Sequence, residues 1–229
     1  KGGTGKTTVT ASFAALAKKH AFADTDVDAP NLHLLMCLKP IFEEGFNAGA
    51  RASLHGNHCS GCGLCARECR FEAIAMEGSD DDMTVRVPIV NATACEGCGF
   101  CVMLCPENAL RMQPVETGRI YCSEGESGPL AHARLHAGRA NSGKLATRVR
   151  HVAQGLAETH GRDTILIDGP PGIGCPTIAS LTGSTRAVVV TEPSVSAAHD
   201  LKRALDLAAR FRTPCCVIIN KADIDPGQV

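Results

Sequence analysis

The sequence predicts an α/β fold, a doubly wound, mostly parallel sheet of the P-loop NTPase kind, split by a small inserted α+β module. Three observations predict it: a glycine-rich loop with a lysine that runs straight into a helix, apolar strands alternating with amphipathic helices near the other end, and two matching cysteine runs between them.

The chain opens on KGGTGKTT, Lys1 to Thr8. Gly5, Lys6 and Thr7 are the end of the phosphate-loop pattern G-x-x-x-x-G-K-[ST], whose first glycine would fall one residue before Lys1. Gly2, Gly3 and Gly5 let backbone N–H groups turn toward a triphosphate. Lys6 meets the β and γ phosphates, Thr7 ligates Mg²⁺, and Thr4 and Thr8 belong to the same cradle. Lys1 is a second lysine that a simple loop of this kind does not need. A helix is expected at once over Thr8 to Lys19, alanine-rich and basic in its last turn. The following joint, KKHAFADTD, takes a helix into a strand with no turn residues, as though residues were omitted near His20.

Composition narrows the function classes. At 229 residues and a formal charge of −1, nothing supports a nucleic-acid or anionic-membrane role resting on bulk electrostatics. No run approaches the roughly 18 apolar residues needed to span a bilayer, and no signal peptide is visible, so the expected location is cytoplasmic. In a compartment that keeps thiols reduced, 13 cysteines point to metal before disulfides.

Eight cysteines are patterned. Cys59, Cys62, Cys65 and Cys69 form C-x2-C-x2-C-x3-C, and Cys95, Cys98, Cys101 and Cys105 repeat it, with Pro106 after the second run. That is the bacterial two-cluster ferredoxin spacing, in which three close thiolates wrap one cubane and the fourth serves the other. Cys59, Cys62, Cys65 and Cys105 are therefore assigned to one 4Fe-4S centre, and Cys95, Cys98, Cys101 and Cys69 to the second. The flanks CRFEAIAM and CPENALRM read as similar helix-like returns, an internal duplication in which Arg70 replaces the expected proline. Zinc is the competing metal, but it uses separated C-x2-C knuckles and has no need of a third cysteine at the same interval. Between the runs, EGSDDDMTVRVPIVN reads as an acidic turn before an alternating strand. The expected organisation is a phosphate-loop domain over residues 1–51, a ferredoxin module over 52–112, and the second part of the first domain over 113–229, truncated at its C-terminal end.

After the insertion, Asp163 to Gly174 (DTILIDGPPGIG) is an apolar strand ending in Asp168, followed by a Gly-Pro turn. A carboxylate there would hold Mg²⁺ or its water; capping the turn is the alternative. Further strands are expected at Arg186 to Glu192 and Pro214 to Asp223, with the helical SVSAAHDLKRALDLAARF between them, giving a parallel sheet covered on both faces. Asn220 and Asp223 belong to an N-K-x-D run at a strand end, placed to read a purine base, ATP or GTP. His132, Arg134 and Asn141 to Lys144 read as a solvated glycine-rich connection. Cys37, Cys122, Cys215 and Cys216 read as small buried hydrophobes, whereas Cys175 directly follows the Gly-Pro turn and would move with it.

The leading lysine of KGGTGKTT resembles the deviant phosphate loop of the MinD, ParA, Mrp and nitrogenase iron-protein group. ADTDVDAPNLHLL, Ala23 to Leu35, is similar to that group's first switch and IDGPPGIG to its second; with the cysteine insertion, nearly the whole chain resembles MinD-superfamily ATPases carrying a ferredoxin domain. The resemblance implies that Lys1 reaches the nucleotide of a partner subunit in a nucleotide-dependent homodimer, in the manner of an arginine finger. It implies that Asp26 orients the attacking water, Asp24 assists the Mg²⁺ site, Asp168 holds that ion's outer contacts, and Asn220 meets adenine, favouring ATP. Asp28 and Asn31 belong to the same loop, where a turn held by their own hydrogen bonds is equally open.

Three functions follow from these readings. An ATP-dependent electron-transfer protein acting on a redox partner protein is favoured. A cluster-assembly ATPase is opposed by full ligation from eight cysteines. A redox-sensing positioning ATPase is opposed by the lack of a membrane-binding tail or DNA-binding surface in the sequence. The absence of a C-x-x-C pair after the insertion counts against a carrier that bridges a cluster between protomers.

Overall fold

The computed structural model describes residues 2–16, 19–78, 86–139 and 142–228. Lys1, most of the acidic turn and Asn141 lie outside the described residues. In chain order the elements are α1 (Lys6–Leu16), β1 (His20–Asp24), α2 (Leu32–Leu35), β2 (Lys39–Leu54), α3 (Leu64–Arg67), β3 (Ile74–Glu77), β4 (Val87–Val90), α4 (Phe100–Leu104), β5 (Leu110–Glu124), β6 (Leu130–Leu135), α5 (Ser142–Thr159), β7 (Thr164–Asp168), α6 (Cys175–Leu181), β8 (Ala187–Thr191), α7 (Val195–Arg210) and β9 (Cys215–Ile219). The chain divides into two compact units, one of Lys1–Phe46 with Gly118–Val229 and one of Asn47–Thr117, so the boundaries fall inside β2 and β5.

The larger unit is built on a sheet ordered β2-β5-β6-β1-β7. β1 pairs in parallel with both β6 and β7, while β5 runs antiparallel to β6. β1 reads HAFAD, and its last four residues are buried because helices cover both faces. On one face, α5 presents Leu145, Ala146, Val149 and Ala153 to Ala23, Ile120, Ala131 and Ala133. That spacing is one stripe of a helix, and the alanines on both sides let helix and sheet approach closely. Gly118 is one such close approach, since a Cβ there would lie 2.8 Å from the Arg134 carbonyl and 2.9 Å from Leu145 Cδ2. On the other face, Ala14 of α1 packs with Phe22, Leu32, Leu38 and Leu130.

Several sequence expectations are corrected. The first helix starts at Lys6, inside the phosphate loop, and is described to Leu16 instead of spanning Thr8 to Lys19. The stretch read as a solvated connection is ordered: His132 and Arg134 lie on β6, flanked by β5 and β1, and Ser142 to Lys144 open α5. β8 and β9 pair in parallel with each other and are not bonded to β7; Ile165 and Ile167 of β7 and Val188 and Val190 of β8 line one cavity. α7 is capped by Ser194, whose Oγ accepts from the Ala197 amide at 3.3 Å.

In the smaller unit, β3 and β4 form an antiparallel pair, Ile74 opposite Val90. The returns after the fourth cysteines are extended, not helical: CRFEAIAM leads into β3 and CPENALRM into β5, while the short helices α3 and α4 precede those cysteines. Among the described residues, no helix is long and apolar enough to cross a membrane.

Leu145 is fully buried in the α5 core. Leu145→Ala should lower unfolding free energy by about 2–5 kcal/mol, read as an earlier denaturant midpoint with an unchanged slope.

Candidate nucleotide site and cysteine cavities

The phosphate loop turns on Gly3 and Gly5, whose φ angles of 78° and 93° are left-handed values that glycine adopts without strain. The Val9 amide donates to the Gly5 carbonyl at 2.9 Å, so the loop passes directly into the first turn of α1, where N–H groups and the helix dipole favour an anion. Thr4 is buried, and its Oγ1 has no hydrogen-bond partner among the described atoms.

Three carboxylates gather at the C-terminal ends of β1 and β7. The register sets Asp24 directly opposite Asp168, and both are almost wholly buried. Asp168 receives the hydroxyls of Thr7 and Thr10, the latter at 3.0 Å from Oδ1. Burial pushes its carboxyl above the usual range, while those hydroxyls and the Lys6 ammonium pull it back. Asp24 Oδ1 accepts the Asp26 amide at 3.1 Å, and Oδ2 accepts the Asn31 and Leu32 amides, each at 3.1 Å. One buried carboxylate therefore shapes the loop that carries Asp26. Burial raises Asp24 to about 7, with the Asp168 and Asp26 charges adding to the shift against those amide bonds. Asp26 is half-buried and also raised, by desolvation first and then by Asp28 and Asp168.

A divalent cation would relieve this accumulation of negative charge. Among the described residues no three His, Cys, Asp or Glu side chains close on one point. The donor set suits Mg²⁺, which keeps several waters and takes one or two protein ligands beside phosphate oxygens.

Residues that the sequence did not single out tie the two loops together. Thr25, fully buried between Asp24 and Asp26, donates its amide to the Asp168 carbonyl at 2.9 Å and sets its hydroxyl 2.8 Å from the same oxygen. That hydroxyl also lies 2.7 Å from Ser180 Oγ on α6, the helix after the Gly-Pro turn. His132, opposite Asp24 on β6, stacks on His33 of α2 at 4.4 Å and on Tyr121 of β5 at 5.1 Å. Burial, with the neighbouring His33, lowers His132 to about 4, so it packs as a neutral ring.

Asn220 stands beyond the end of β9, half-buried, with its Nδ2 donating to the Thr4 carbonyl at 2.9 Å; Asp223 is exposed. A Cβ on Gly5 would collide with that amide nitrogen. Lys1 falls outside the described residues. Of the unpatterned cysteines only Cys122 is buried. Cys215 is half-exposed, and Cys37 and Cys216 are exposed, which corrects the small-hydrophobe reading for Cys37 and Cys216; Cys175 is exposed as well.

In the smaller unit the eight patterned cysteines fall into two cavities. One is lined by Cys59, Cys62, Cys65 and Cys105, the other by Cys69, Cys95, Cys98 and Cys101. The fourth cysteine of each run thus faces the cavity of the other run. The two halves match in detail: the Ala73 amide donates to Cys69 Sγ at 3.4 Å and the Ala109 amide to Cys105 Sγ at 3.3 Å. Gly63 and Gly99, both left-handed, open α3 and α4. Burial raises the Cys65 thiol with help from Cys59 and Cys62, and the Cys101 thiol with help from Cys95, Cys65 and Cys98. Four thiols spread around a cavity, each crowded by others, suit a cubane whose irons accept them as thiolates.

A phosphate loop facing strand-end carboxylates on a mostly parallel sheet, together with a duplicated cysteine module, defines a P-loop NTPase fold with a ferredoxin-like insertion. Residues 58–109 match the family described as the 4Fe-4S dicluster domain. The crystal structure of the cell division ATPase MinD from Pyrococcus furiosus is similar over the whole of this chain and 72% of its own, with a TM-score of 0.53 and 17% identity. The uncharacterized protein MJ0578 of Methanocaldococcus jannaschii is 32% identical over 231 residues, covering 96% of this chain and 75% of that protein. MJ0579 of the same organism is 23% identical over 258 residues, covering 100% of this chain and 80% of its own length. The chain belongs to the family of the uncharacterized protein MJ0578, and it carries a 4Fe-4S dicluster domain inserted in a MinD-like P-loop fold.

With a folded-state value near 7 against 3.8 for the free side chain, Asp24 binds more protons in the folded state between these values. Its contribution to stability is therefore fully present below about pH 4 and lost as pH rises through 7. Asp24→Asn should flatten the fall in denaturation midpoint across that window; an unchanged slope would assign the pH dependence elsewhere.

Proposed function

We propose that the chain is an ATP-binding and hydrolysing iron-sulfur protein that couples nucleotide state to electron transfer, working as a nucleotide-dependent homodimer with a separate redox partner protein, in the cytoplasm, and without nucleic acid or membrane as ligand. The observation that carries this reading is the pairing, in one chain, of a phosphate loop facing Asp168 with two cavities of four cysteines each.

In the nucleotide site, Gly2 to Thr8 cradle the phosphates through backbone N–H groups, and Lys6 balances charge on the β and γ phosphates. Thr7 supplies the hydroxyl ligand to Mg²⁺, and Asp168, held by Thr10, orients what surrounds that ion. Asp26 orients the attacking water. Asp24 serves the site from behind, because its carboxylate fixes the Asp26 amide and the backbone at Asn31 and Leu32. Lys1 completes the partner's site across the dimer, supplying positive charge to the transferring phosphoryl group. Asn220 and Asp223 address the adenine, with the Asn220 carboxamide oxygen suited to its exocyclic amine.

In the cysteine module, Cys59, Cys62, Cys65 and Cys105 hold one 4Fe-4S cluster and Cys95, Cys98, Cys101 and Cys69 the other. The clusters supply one-electron chemistry at low potential. The chain's own part is to donate the Ala73 and Ala109 amides to the exchanged sulfurs, which stabilises their negative charge. Thr25 and Ser180 join the Asp26 loop to α6, so both loops around the phosphates respond as one unit. Full ligation by eight cysteines favours resident clusters over clusters as cargo.

Asp26→Asn should abolish ATP turnover in the loaded protein while leaving nucleotide affinity within a few-fold of wild type. Hydrolysis at the wild-type rate would remove Asp26 from its assigned role.

A further inference from the structure

The smaller unit carries two copies of one motif, and each copy serves as a control for the other. Cys69 of the first run corresponds to Cys105 of the second, so Arg70 and Phe71 stand where the second copy has Pro106 and Glu107. The exchange of the fourth cysteines carries these pairs with it. Arg70 and Phe71 line the cavity of Cys69, Cys95, Cys98 and Cys101, whereas Pro106 and Glu107 line that of Cys59, Cys62, Cys65 and Cys105. The same place in the duplication thus sets a cation at one cavity and an anion at the other.

The other charged side chains do not cancel this difference. The cavity with Arg70 is also lined by Glu68 and Glu96. Glu68 Oε1 accepts from Arg67 Nε at 3.2 Å, so its charge is already matched and Arg70 is left against Glu96. Among the described residues that line the other cavity, Glu107 alone is charged. The Arg70 guanidinium lies 5.6 Å from the centroid of the Phe71 ring, a cation–π distance that keeps it beside a second residue of the same cavity wall. Arg70 and Glu107 are exposed, so solvent weakens both effects without changing their sign. A cluster becomes more negative when it is reduced, and the net charge around it moves its potential accordingly.

We propose that Arg70 and Glu107 make the two clusters unequal: Arg70 raises the reduction potential of the one held by Cys69, Cys95, Cys98 and Cys101, and Glu107 lowers that of the one held by Cys59, Cys62, Cys65 and Cys105. An electron entering the module then comes to rest on the first of these. This rests on the iron-sulfur reading above and names the order in which the clusters fill.

The reconstituted full chain, without nucleotide, is titrated anaerobically with a reduced viologen and followed by EPR. Each step moves one electron from a viologen radical, which returns to its dication, to one cluster; no bond forms or breaks and no proton is taken up. Repulsion between the clusters separates the two waves even between equals, so the test is which wave each substitution moves. Arg70→Gln should shift the higher-potential wave about tenfold toward the oxidised form, about 59 mV for one electron. Glu107→Gln should shift the lower-potential wave toward the reduced form by a similar factor. Arg70→Lys, which keeps the charge, should leave both waves within about twofold of wild type. Glu107→Gln carries the test by itself if Arg70→Gln loses iron.

Waves within about twofold of wild type in the Gln variants, at full iron content, would overturn the proposal. Arg70→Gln acting on the lower wave, or Glu107→Gln on the higher, would overturn it as well. A wild-type chain that holds no iron after reconstitution would overturn the iron-sulfur reading itself, and this proposal with it.

Discussion

The concentration of acidic groups at one end of the buried parallel strands β1 and β7 is the constraint on which the larger unit depends. Asp24 and Asp168 face one another in the β1–β7 register with almost no exposure, and Asp26 follows on the next turn of chain. Burial pushes all three carboxyls toward protonation, and only hydroxyls, amides and the Lys6 ammonium oppose it. A fold does not keep such a group for stability alone, since a buried carboxylate costs free energy that apolar side chains would not. Its use is in what it holds: Asp24 shapes the loop of Asp26, and Thr25 fastens that loop to the strand of Asp168 and to α6. A cation with phosphates bound here would relieve the repulsion, and so nucleotide and loop geometry are expected to move together.

The smaller unit works by a different economy of structure. Each cysteine run supplies three thiols locally, and the fourth is exchanged, so neither cavity is complete without the other run. The paired amide contacts at Cys69 and Cys105 show that the duplication extends from spacing to hydrogen bonding. Small elements such as the four-residue α3 and β3 have little apolar core of their own, and ligation supplies the cross-links that hold modules of this size.

How far the sequence could be read depended on whether chemistry was local. The phosphate loop and the cysteine runs were legible because their spacing is their function. The exchange of Cys69 and Cys105 was legible from the doubled pattern, and the cavities group them that way. β6 was not legible, because LAHARL carries a histidine and an arginine and lies between its neighbour β5 and β1, which is more than a hundred residues away in sequence. Thr25 and Ser180 gave no signal at all, since their contact spans 155 positions. The N-K-x-D run was read for its base contact, whereas the hydrogen bond from Lys221 Nζ to the Gly3 carbonyl, across 218 positions, is visible only when the fold closes. Residues whose partners lie along the chain can be found from the sequence, and residues whose partners lie across the sheet require the topology.

The central claim is that nucleotide state and cluster redox state are energetically linked. It is tested most directly by an anaerobic redox titration of the reconstituted protein, followed by EPR, with and without Mg-ATP. A coupling of about 1–3 kcal/mol corresponds to a shift of roughly 40–130 mV for one electron, and a shift of at least tens of millivolts in one or both clusters is the predicted result. Midpoint potentials that are the same with and without Mg-ATP, in protein shown to bind it, would contradict the account.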